Sequence, residues 1–254
     1  MNPAFFGTGG RRLFGIYHAP PADKPSDRGM VMCPPWGLEY LMSHRSLRQL
    51  ALMLSVNGVH VLRFDYFGTG DSAGDASQAS LAGCEADIDT AIDELMEISR
   101  VKQVGLVGLR LGADLAARVC ARRQRPFREL VLWDPVVHGR DYRDEMRPRS
   151  LMSAPKPGQP AAPEAREHGG GFAMSDAFLD ELTSVDLLAL IGDLPERTLL
   201  ATTERRPVFT QTAQPIQVQT VHVDSPSAWR EQGNLGTASI PADLLQSIVG
   251  WLIE

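Results

Sequence analysis

A five-residue stretch in the middle of the chain has the spacing of a nucleophile elbow, Gly-x-Ser-x-Gly, with one change. The stretch reads Gly108-Leu-Arg-Leu-Gly112, so Arg110 stands at the apex in place of the attacking serine. The two glycines are needed because a strand and a helix crowd together at this turn, which holds the apex residue at the carboxyl end of the sheet. A guanidinium stays protonated at any working pH and cannot attack a carbonyl carbon. The motif therefore predicts a catalytic type of turn that has a permanent cation at its apex.

Two further turns follow predicted strands upstream of this motif. Cys33-Pro-Pro-Trp-Gly37 is a rigid turn at a strand end, where the backbone N–H of Trp36 or Gly37 can point into a site. The Gly-rich stretch from 65 to 74 contains Asp65 and Asp71, and we expect these two side chains to shape the loop through bonds to the backbone.

The order of these motifs resembles the α/β-hydrolase superfamily. It runs Pro-Pro-x-Gly, then Asp-x-x-Gly-x-Gly-Asp-Ser, then Gly-x-Arg-x-Gly, with a late helix that ends Val249-Gly-Trp-Leu252. More narrowly, the stretch 108–113 and Leu132-Trp-Asp-Pro-Val-Val-x-Gly-x-x-Tyr142 are similar to hydrolase-like proteins associated with exosortase systems, near the serine aminopeptidase-like branch. The resemblance implies a mostly parallel sheet, a lid after the sixth strand and a site above the elbow.

A hydrolase of this kind also needs a base that takes the proton of the nucleophile and an acid that orients the base. Asp134 and Glu204 follow predicted strands and are the candidate acids, and His222 is the candidate base. Two placements of His222 are open, one in the loop just past the last strand and one inside that strand. Together with Arg110, these three residues are the candidate catalytic residues.

Four residues near the two turns are candidate substrate- or oxyanion-binding residues: Trp36, Gly37, Leu111 and Cys33. Cys33 is also the least poor candidate for a relocated nucleophile, although a small buried strand residue is the simpler interpretation. Cys84 and Cys120 fall within helical patterns and are expected in the core.

Arg110 has two alternative roles. It stands at the N-terminus of the helix that starts near Leu111, where free N–H groups and a guanidinium together suit a substrate carboxylate, phosphate or acyl carbonyl. Alternatively, it forms an internal ion pair with Asp134, Glu204 or Asp224 and fills an inactive site. Because burying an unpaired arginine is costly, we predict one of these three carboxylates within salt-bridge reach.

The elements that must position these residues alternate along the chain. The predicted strands are Leu13–Tyr17, Met30–Cys33, Val59–Phe64, Gln103–Val107, Glu129–Trp133, Thr198–Ala201 and Ile216–Val221. The predicted helices are Ser46–Val56, Leu81–Ile98, Leu111–Arg123, Ala177–Ile191 and Pro241–Leu252. Fully apolar strands separated by helices predict an α/β fold with a mostly parallel central sheet flanked by helices.

The length of 254 residues suits one α/β domain, and we assign residues 1–254 to a single α/β-hydrolase-like domain. The segment from 147 to 174 is too long and too rich in Pro and Gly for an ordinary connection. It lies between two predicted strands, which predicts a lid insertion over residues 140–182.

The charge and cysteine content limit the partners. The chain has 31 Asp and Glu against 25 Lys and Arg, a net charge of −6, which argues against a general nucleic-acid or membrane-surface binder. Residues 1–12 have no signal-peptide pattern, no apolar run approaches about 18 residues, and the three cysteines form no CxxC pair. These features predict a soluble, cytoplasmic protein.

The histidines show no metal-ligand spacing, and the chain has neither a P-loop nor a dinucleotide motif after its first strand. We therefore expect no metal and no cofactor. The expected partner is a small-molecule substrate or ligand, and a homodimer is left open.

Two functions follow from these observations. In the first, the chain acts on or binds an acyl, ester or thioester compound, or another anionic small molecule, through Arg110, with His222 and Asp134 or Glu204 in acid–base roles. In the second, it is a catalytically inactive pseudo-hydrolase that serves as a binding or scaffold protein. A third possibility is ordinary hydrolysis by a relocated Cys or Ser nucleophile. The fold alone does not separate these functions, because function resides in the site.

Overall fold

Ten strands are present in the computed structural model, which describes residues 1–24, 26–122, 127–151, 167–168, 172–203, 218–225, 227, 229 and 240–254. They are β1 (Asn2–Phe6), β2 (Leu13–His18), β3 (Arg28–Cys33), β4 (His60–Phe64), β5 (Gln103–Leu109), β6 (Leu130–Trp133), β7 (Glu167–His168), β8 (Phe172–Ala173), β9 (Thr198–Thr202) and β10 (Gln219–His222). Eight of them form the central sheet in the order β1-β2-β4-β3-β5-β6-β9-β10, and β7 and β8 pair separately.

The sheet is parallel from β4 to β10, and β2 runs antiparallel to both β1 and β4. The mostly parallel sheet predicted from the sequence is therefore confirmed. The parallel strands carry their carboxyl ends at one edge, where the turns after β3, β5 and β6 meet.

Six helices cover the sheet: α1 (Leu38–Val56), α2 (Leu81–Ser99), α3 (Leu111–Arg122), α4 (Gly139–Leu151), α5 (Asp176–Leu182) and α6 (Ala242–Ile253). Leu106 of β5 packs in the apolar core beneath α2 and α3, whereas its neighbour Val107 packs in the core beneath α1 and α6. Successive strand residues point to opposite faces, so burial on both faces explains why β5 is apolar throughout. Cys84 and Cys120 lie in the first of these cores, as predicted.

Several elements differ from the sequence prediction. β1 is additional, and its residues Asn2 to Phe5 are exposed at the sheet edge, where Pro3 is tolerated and no apolar alternation marks a strand. α1 begins at Leu38 rather than Ser46, because its early buried positions include the polar residue Glu39 and break the apolar pattern. α4 extends to Leu151 and contains Pro148 within the segment assigned to a Pro-rich excursion.

The helix predicted over Ala177–Ile191 ends at Leu182 instead. The hydroxyls of Thr183 and Ser184 donate to the carbonyls of Asp180 and Glu181 and satisfy the last turn. A short 3₁₀ helix follows at Leu188–Asp193. Residue 123 of a predicted helix and residues 216–217 of a predicted strand lie outside the described residues.

The segment between β6 and β9 contains α4, β7, β8 and α5. Residues 152–166 and 169–171 of this segment lie outside the described residues, and the lid over 140–182 stays a prediction, as does the single domain over 1–254. Among the helices that the structure describes, none is both long enough and apolar enough to cross a membrane.

Candidate functional site

The turn between β5 and α3 has the close packing that the elbow motif requires. A Cβ atom on Gly108 would lie 2.3 Å from the Cα of Ala113, and one on Gly112 would lie 2.2 Å from the carbonyl oxygen of Cys33. Both positions therefore admit only glycine. Arg110 at the apex has a φ of +54°, the left-handed conformation that a side chain adopts only under constraint.

The guanidinium of Arg110 is enclosed by protein, and the residue is 1% exposed. Its Nε donates to Oε1 of Glu39 at 3.0 Å, and its Nη2 donates to Oε2 of Glu145 at 2.9 Å. Its Nη1 makes a longer bond of 3.4 Å to the backbone carbonyl of Asp134. Two carboxylates from different helices, α1 and α4, thus hold one cation at the elbow.

Aromatic rings complete this cluster. The Cζ of Arg110 lies 3.8 Å from the ring centroid of Trp229 and 5.4 Å from that of Tyr142, both within the range of cation–π attraction. The hydroxyl of Tyr142 donates to Oε2 of Glu39 at 2.9 Å. Both oxygens of the Glu39 carboxylate are therefore engaged. We call Arg110, Glu39, Glu145, Tyr142 and Trp229 the Arg110 cluster.

The cluster favours the charged form of its arginine. Burial acts to lower the pKa of Arg110, but the nearby Glu39, Tyr142 and Glu145 outweigh it, and the pKa is raised above its ordinary value. The Arg110 guanidinium is therefore a fixed cation, and it faces two carboxylates, those of Glu39 and Glu145.

Asp134 does not form the predicted ion pair with Arg110. Its carboxylate accepts from the backbone N–H of Thr203 at 2.8 Å, from the Thr203 hydroxyl at 2.7 Å and from Nε1 of Trp229 at 3.3 Å. Three donors thus bind the two carboxylate oxygens of Asp134, and the residue is 0% exposed. The ion pair does not form because the turn after β6 directs the backbone carbonyl of Asp134 toward the guanidinium, while the carboxylate is bonded to Thr203 and Trp229.

Of the other two predicted partners of Arg110, Asp224 needs the same correction, whereas the ion pair with Glu204 stays a prediction. Asp224 accepts from His222 rather than from Arg110, and Glu204 lies outside the described residues. The need for a carboxylate beside the buried arginine is confirmed, but the carboxylates come from Glu39 and Glu145. The predicted carboxylate partners follow strands, whereas the two observed partners, Glu39 and Glu145, lie on helices.

His222 is the last residue of β10, so the second of its two open placements is the observed one. Its Nδ1 lies 3.1 Å from the hydroxyl of Thr202, and its Nε2 lies 2.8 Å from Oδ1 of Asp224. β10 is separated from β5 by β9 and β6, which at about 4.8 Å per strand is roughly 14 Å. No hydrogen bond joins His222 to Arg110.

The four candidate binding residues lie beneath the protein surface. Trp36 is 1% exposed, and its ring packs 5.1 Å from that of Phe178 on α5. Gly37, with a φ of +65°, starts α1, and Leu111 starts α3. Burial raises the pKa of the Cys33 thiol well above its ordinary value, so the thiol stays protonated and is a poor nucleophile.

Glu39, Tyr142 and Glu145 were not among the candidate residues from the sequence. One signal for Glu39 was available: it is the sole charged residue between Arg28 and His44 if histidine is counted as neutral. Tyr142 and Glu145 are three residues apart, which places them on one side of a helix.

Within the residues described, no group of three or more His, Cys, Asp or Glu side chains is arranged to hold a metal ion. All three cysteines are buried and unbridged.

Comparison with known proteins identifies the family. Residues 41–169, about half of the chain, match the family model described as serine aminopeptidase, S33. No curated protein sequence matches the chain significantly.

Solved structures match over nearly the whole length. Est1E from Butyrivibrio proteoclasticus, determined with ferulic acid bound, has a TM-score of 0.68 at 13% identity and covers 99% of this chain and 100% of its own. An α/β serine hydrolase without a lid from Xanthomonas campestris has a TM-score of 0.61 at 15% identity, covering 99% and 91%. Proline iminopeptidase from Mycobacterium smegmatis has a TM-score of 0.62 at 11% identity, covering 99% and 97%. The chain therefore belongs to the serine aminopeptidase S33 family and has the α/β-hydrolase fold.

Proposed function

We propose that this chain is a catalytically inactive pseudo-hydrolase that serves as a binding or scaffold protein, in which Arg110 fills the position of the nucleophile. The observation that carries the proposal is the enclosed ion-pair cluster at the elbow. Arg110 is 1% exposed and bonded to both Glu39 and Glu145. A guanidinium held in this way cannot attack a substrate, and its hydrogen bonds are already made to protein carboxylates.

The charge balance supports the same conclusion. One guanidinium faces two carboxylates, and a substrate carboxylate added beside them would be a third anion. Repulsion between anions is strong where the surroundings are poorly solvated. The cluster thus has no excess positive charge to attract an anionic substrate.

The supporting acid and base of a hydrolase are also committed elsewhere. The Asp134 carboxylate is saturated by Thr203 and Trp229. His222 is bonded to Asp224 and lies three strands from the elbow. A serine introduced at position 110 would therefore lack the base that takes its proton.

Ester hydrolysis tests the proposal. The wild-type protein and Arg110→Ser are each assayed with p-nitrophenyl acetate and with a fluorophosphonate probe, and thermal unfolding verifies that both are folded. We expect neither protein to exceed the buffer rate or to be labelled. Wild-type hydrolysis or labelling would overturn the proposal, and so would labelling of Arg110→Ser at residue 110.

A second candidate function is favoured by one observation. The Glu145 side chain is 41% exposed, although its partner Arg110 is buried. A ligand carboxylate that displaced Glu145 would meet the same guanidinium without changing its charge balance. Arg110 would then bind the carboxylate of an acyl compound, or the carbonyl of an ester or thioester, in the enzyme-like role considered from the sequence.

Glu145→Gln separates the two candidates, because the variant removes the competing charge from the cluster. If Arg110 is a ligand site, acetate binds this variant more tightly than wild type, and Arg110→Ala abolishes binding in isothermal titration calorimetry. If Arg110 has a structural role only, acetate binds none of the three proteins at this site.

A further inference from the structure

A cavity lies on the α1 side of the sheet, between α1 and the strands β2 and β4. Its volume is about 380 Å³, within the range of roughly 300–1,000 Å³ that small-molecule sites occupy. Phe14, Leu41 and Leu47 give it an apolar wall, whereas Arg48 and Arg63 contribute positive charge. No member of the Arg110 cluster lines it.

Arg63 is a half-buried cation that forms no direct ion pair, although the Asp65 carboxylate lies near enough to raise its pKa. Its Nε donates to Nε2 of His18 at 3.2 Å, and none of the described carboxylates forms an ion pair with it. Burial lowers the pKa of Arg63, and the nearby Arg48 adds to this effect, while Tyr40 and Asp65 oppose it. Charged groups away from water are usually paired, and Arg63 has no direct carboxylate partner among the described residues, so its guanidinium is available to an anionic ligand.

His18 fixes the orientation of this arginine. The residue is 1% exposed, and burial together with the charge of Arg63 lowers its pKa to about 4. The imidazole is therefore neutral near pH 7 and accepts the bond from Nε of Arg63. This bond leaves the two Nη groups, whose forked geometry suits the two oxygens of a carboxylate.

Arg48 strengthens the requirement for an anion. It is exposed on α1, lines the same cavity and is close enough to Arg63 to repel its charge. An anion between the two guanidinium groups would replace this repulsion with two attractions. Leu41 and Leu47 lie on the same helix beside Arg48 and provide adjoining apolar contact.

Of the two acidic residues that line the cavity, Asp65 is already engaged by other donors. The Asp65 carboxylate accepts from the Tyr40 hydroxyl at 2.5 Å and from the backbone N–H of Asp71 at 3.0 Å. These bonds hold Asp65 to α1 and to its own loop. The negative charges of Asp65 and Asp71 also disfavour a ligand that carries more than one negative charge.

We propose that this cavity binds a small amphipathic monocarboxylate, with its carboxylate between Arg63 and Arg48 and its apolar part against Phe14, Leu41 and Leu47. The proposal is independent of any ligand at the elbow. Glu39 on the first turn of α1 faces Arg110, whereas the proposed site lies on the other side of that turn, which carries Leu41.

Hexanoate is a suitable probe, with hexanamide as its neutral counterpart and inorganic phosphate as a compact anion without an apolar part. Binding is followed by isothermal titration calorimetry and by the amide resonance of Gly15, which lines the cavity. We expect hexanoate to bind saturably and at least tenfold more tightly than either of the other two. Equal binding of hexanamide or phosphate would overturn the proposal, as would the absence of saturable hexanoate binding.

Variants locate the site. Arg48→Gln and Arg63→Gln each remove one charged contact and should weaken hexanoate binding about tenfold. Arg45→Gln is the matched control, because it removes an equally exposed charge from the same helix at a position that does not line the cavity. Leu41→Trp fills the cavity from an exposed position and should also weaken binding.

If Arg63→Gln does not fold, Arg48→Gln and Leu41→Trp still decide the outcome. Unchanged affinity in both, or an equal loss in Arg45→Gln, would contradict the proposal. Binding that depends on Arg110 but not on Arg48 would contradict it as well and would support the second candidate function at the elbow.

Discussion

At the level of single residues, the two carboxylates of the Arg110 cluster differ sharply in burial. The Glu39 side chain is 1% exposed, and its oxygens bind Arg110 and Tyr142. The Glu145 side chain is 41% exposed. Removing one partner of a buried ion pair leaves an uncompensated charge, whereas a partly exposed charge is largely compensated by water.

We therefore predict that Glu39→Gln lowers the free energy of unfolding by about 3–5 kcal/mol. Glu145→Gln should lower it by no more than about 1 kcal/mol, because solvent screens its charge. Urea denaturation of the two variants and the wild type measures both values. Similar losses in the two variants would contradict the burial difference on which the prediction rests.

Sequence reasoning at this scale succeeded where a motif fixes geometry. The glycines at 108 and 112 predicted the tight turn, and the cost of a buried cation predicted a carboxylate partner. The identity of that partner was not predictable, because Glu39 and Glu145 meet Arg110 only after two helices pack over the sheet. No sequence spacing connects the three positions.

At the level of elements, helix α3 carries a buried acid, Asp114, whose protonation makes the stability of the protein depend on pH. Asp114 is 0% exposed; its Oδ2 accepts from Nε of Arg118, while its Oδ1 has no partner. Burial raises the pKa of Asp114 to about 6, although Arg118 opposes the shift. The folded protein therefore holds this proton at pH values where the unfolded chain has released it.

This difference in bound protons sets the direction in which stability changes with pH. Between about pH 4 and pH 6 the folded state binds more protons than the unfolded state, so the contribution of Asp114 to stability falls as pH rises. We predict that Asp114→Asn becomes more stable relative to wild type across this interval, by about 3 kcal/mol at most. Urea denaturation at pH 4.5 and pH 7 measures the change, with Asp89→Asn as a more exposed control. A constant difference between Asp114→Asn and wild type would refute the raised pKa.

The elements themselves were predictable where apolar spacing was regular. α2 and β5 begin where the sequence predicts them, at Leu81 and Gln103, because their cores are uninterrupted. The first turns of α1 were missed because Glu39 and Ser43 are buried through specific polar contacts, which look like surface residues in a sequence.

At the level of the whole molecule, the core between the sheet and helices α2 and α3 accounts for the burial of the three cysteines. Cys33, Cys84 and Cys120 are all buried and unbridged. Burial raises the pKa of Cys33 and Cys84, so both thiols are protonated as well as inaccessible.

We predict that a thiol reagent such as dithionitrobenzoate reacts with no cysteine in the native protein and with all three in urea. Absorbance of the released thionitrobenzoate counts the reacted groups. Fast reaction of a thiol in the native protein would show that one core face opens readily and would contradict this packing.

The order of the strands and the position of the cavity beside α1 were not predictable from the sequence. The motifs indicate that several turns share the carboxyl edge of a parallel sheet, but not that His222 is three strands from the elbow. Arg63 and Arg48 come together only because β4 and α1 are neighbours in space. Both outcomes depend on long-range packing, which local sequence patterns do not encode.

The most direct test of the ion-pair cluster at the elbow is a double-mutant cycle between Arg110→Met and Glu39→Gln. Urea denaturation of the wild type, both single variants and the double variant gives the coupling energy. Each single change leaves a buried charge without its main partner, so we predict a coupling of about 2 kcal/mol or more, with the double variant less destabilised than the two separate losses combined. Additive losses would show that Arg110 and Glu39 do not share a buried ion pair and would contradict the account.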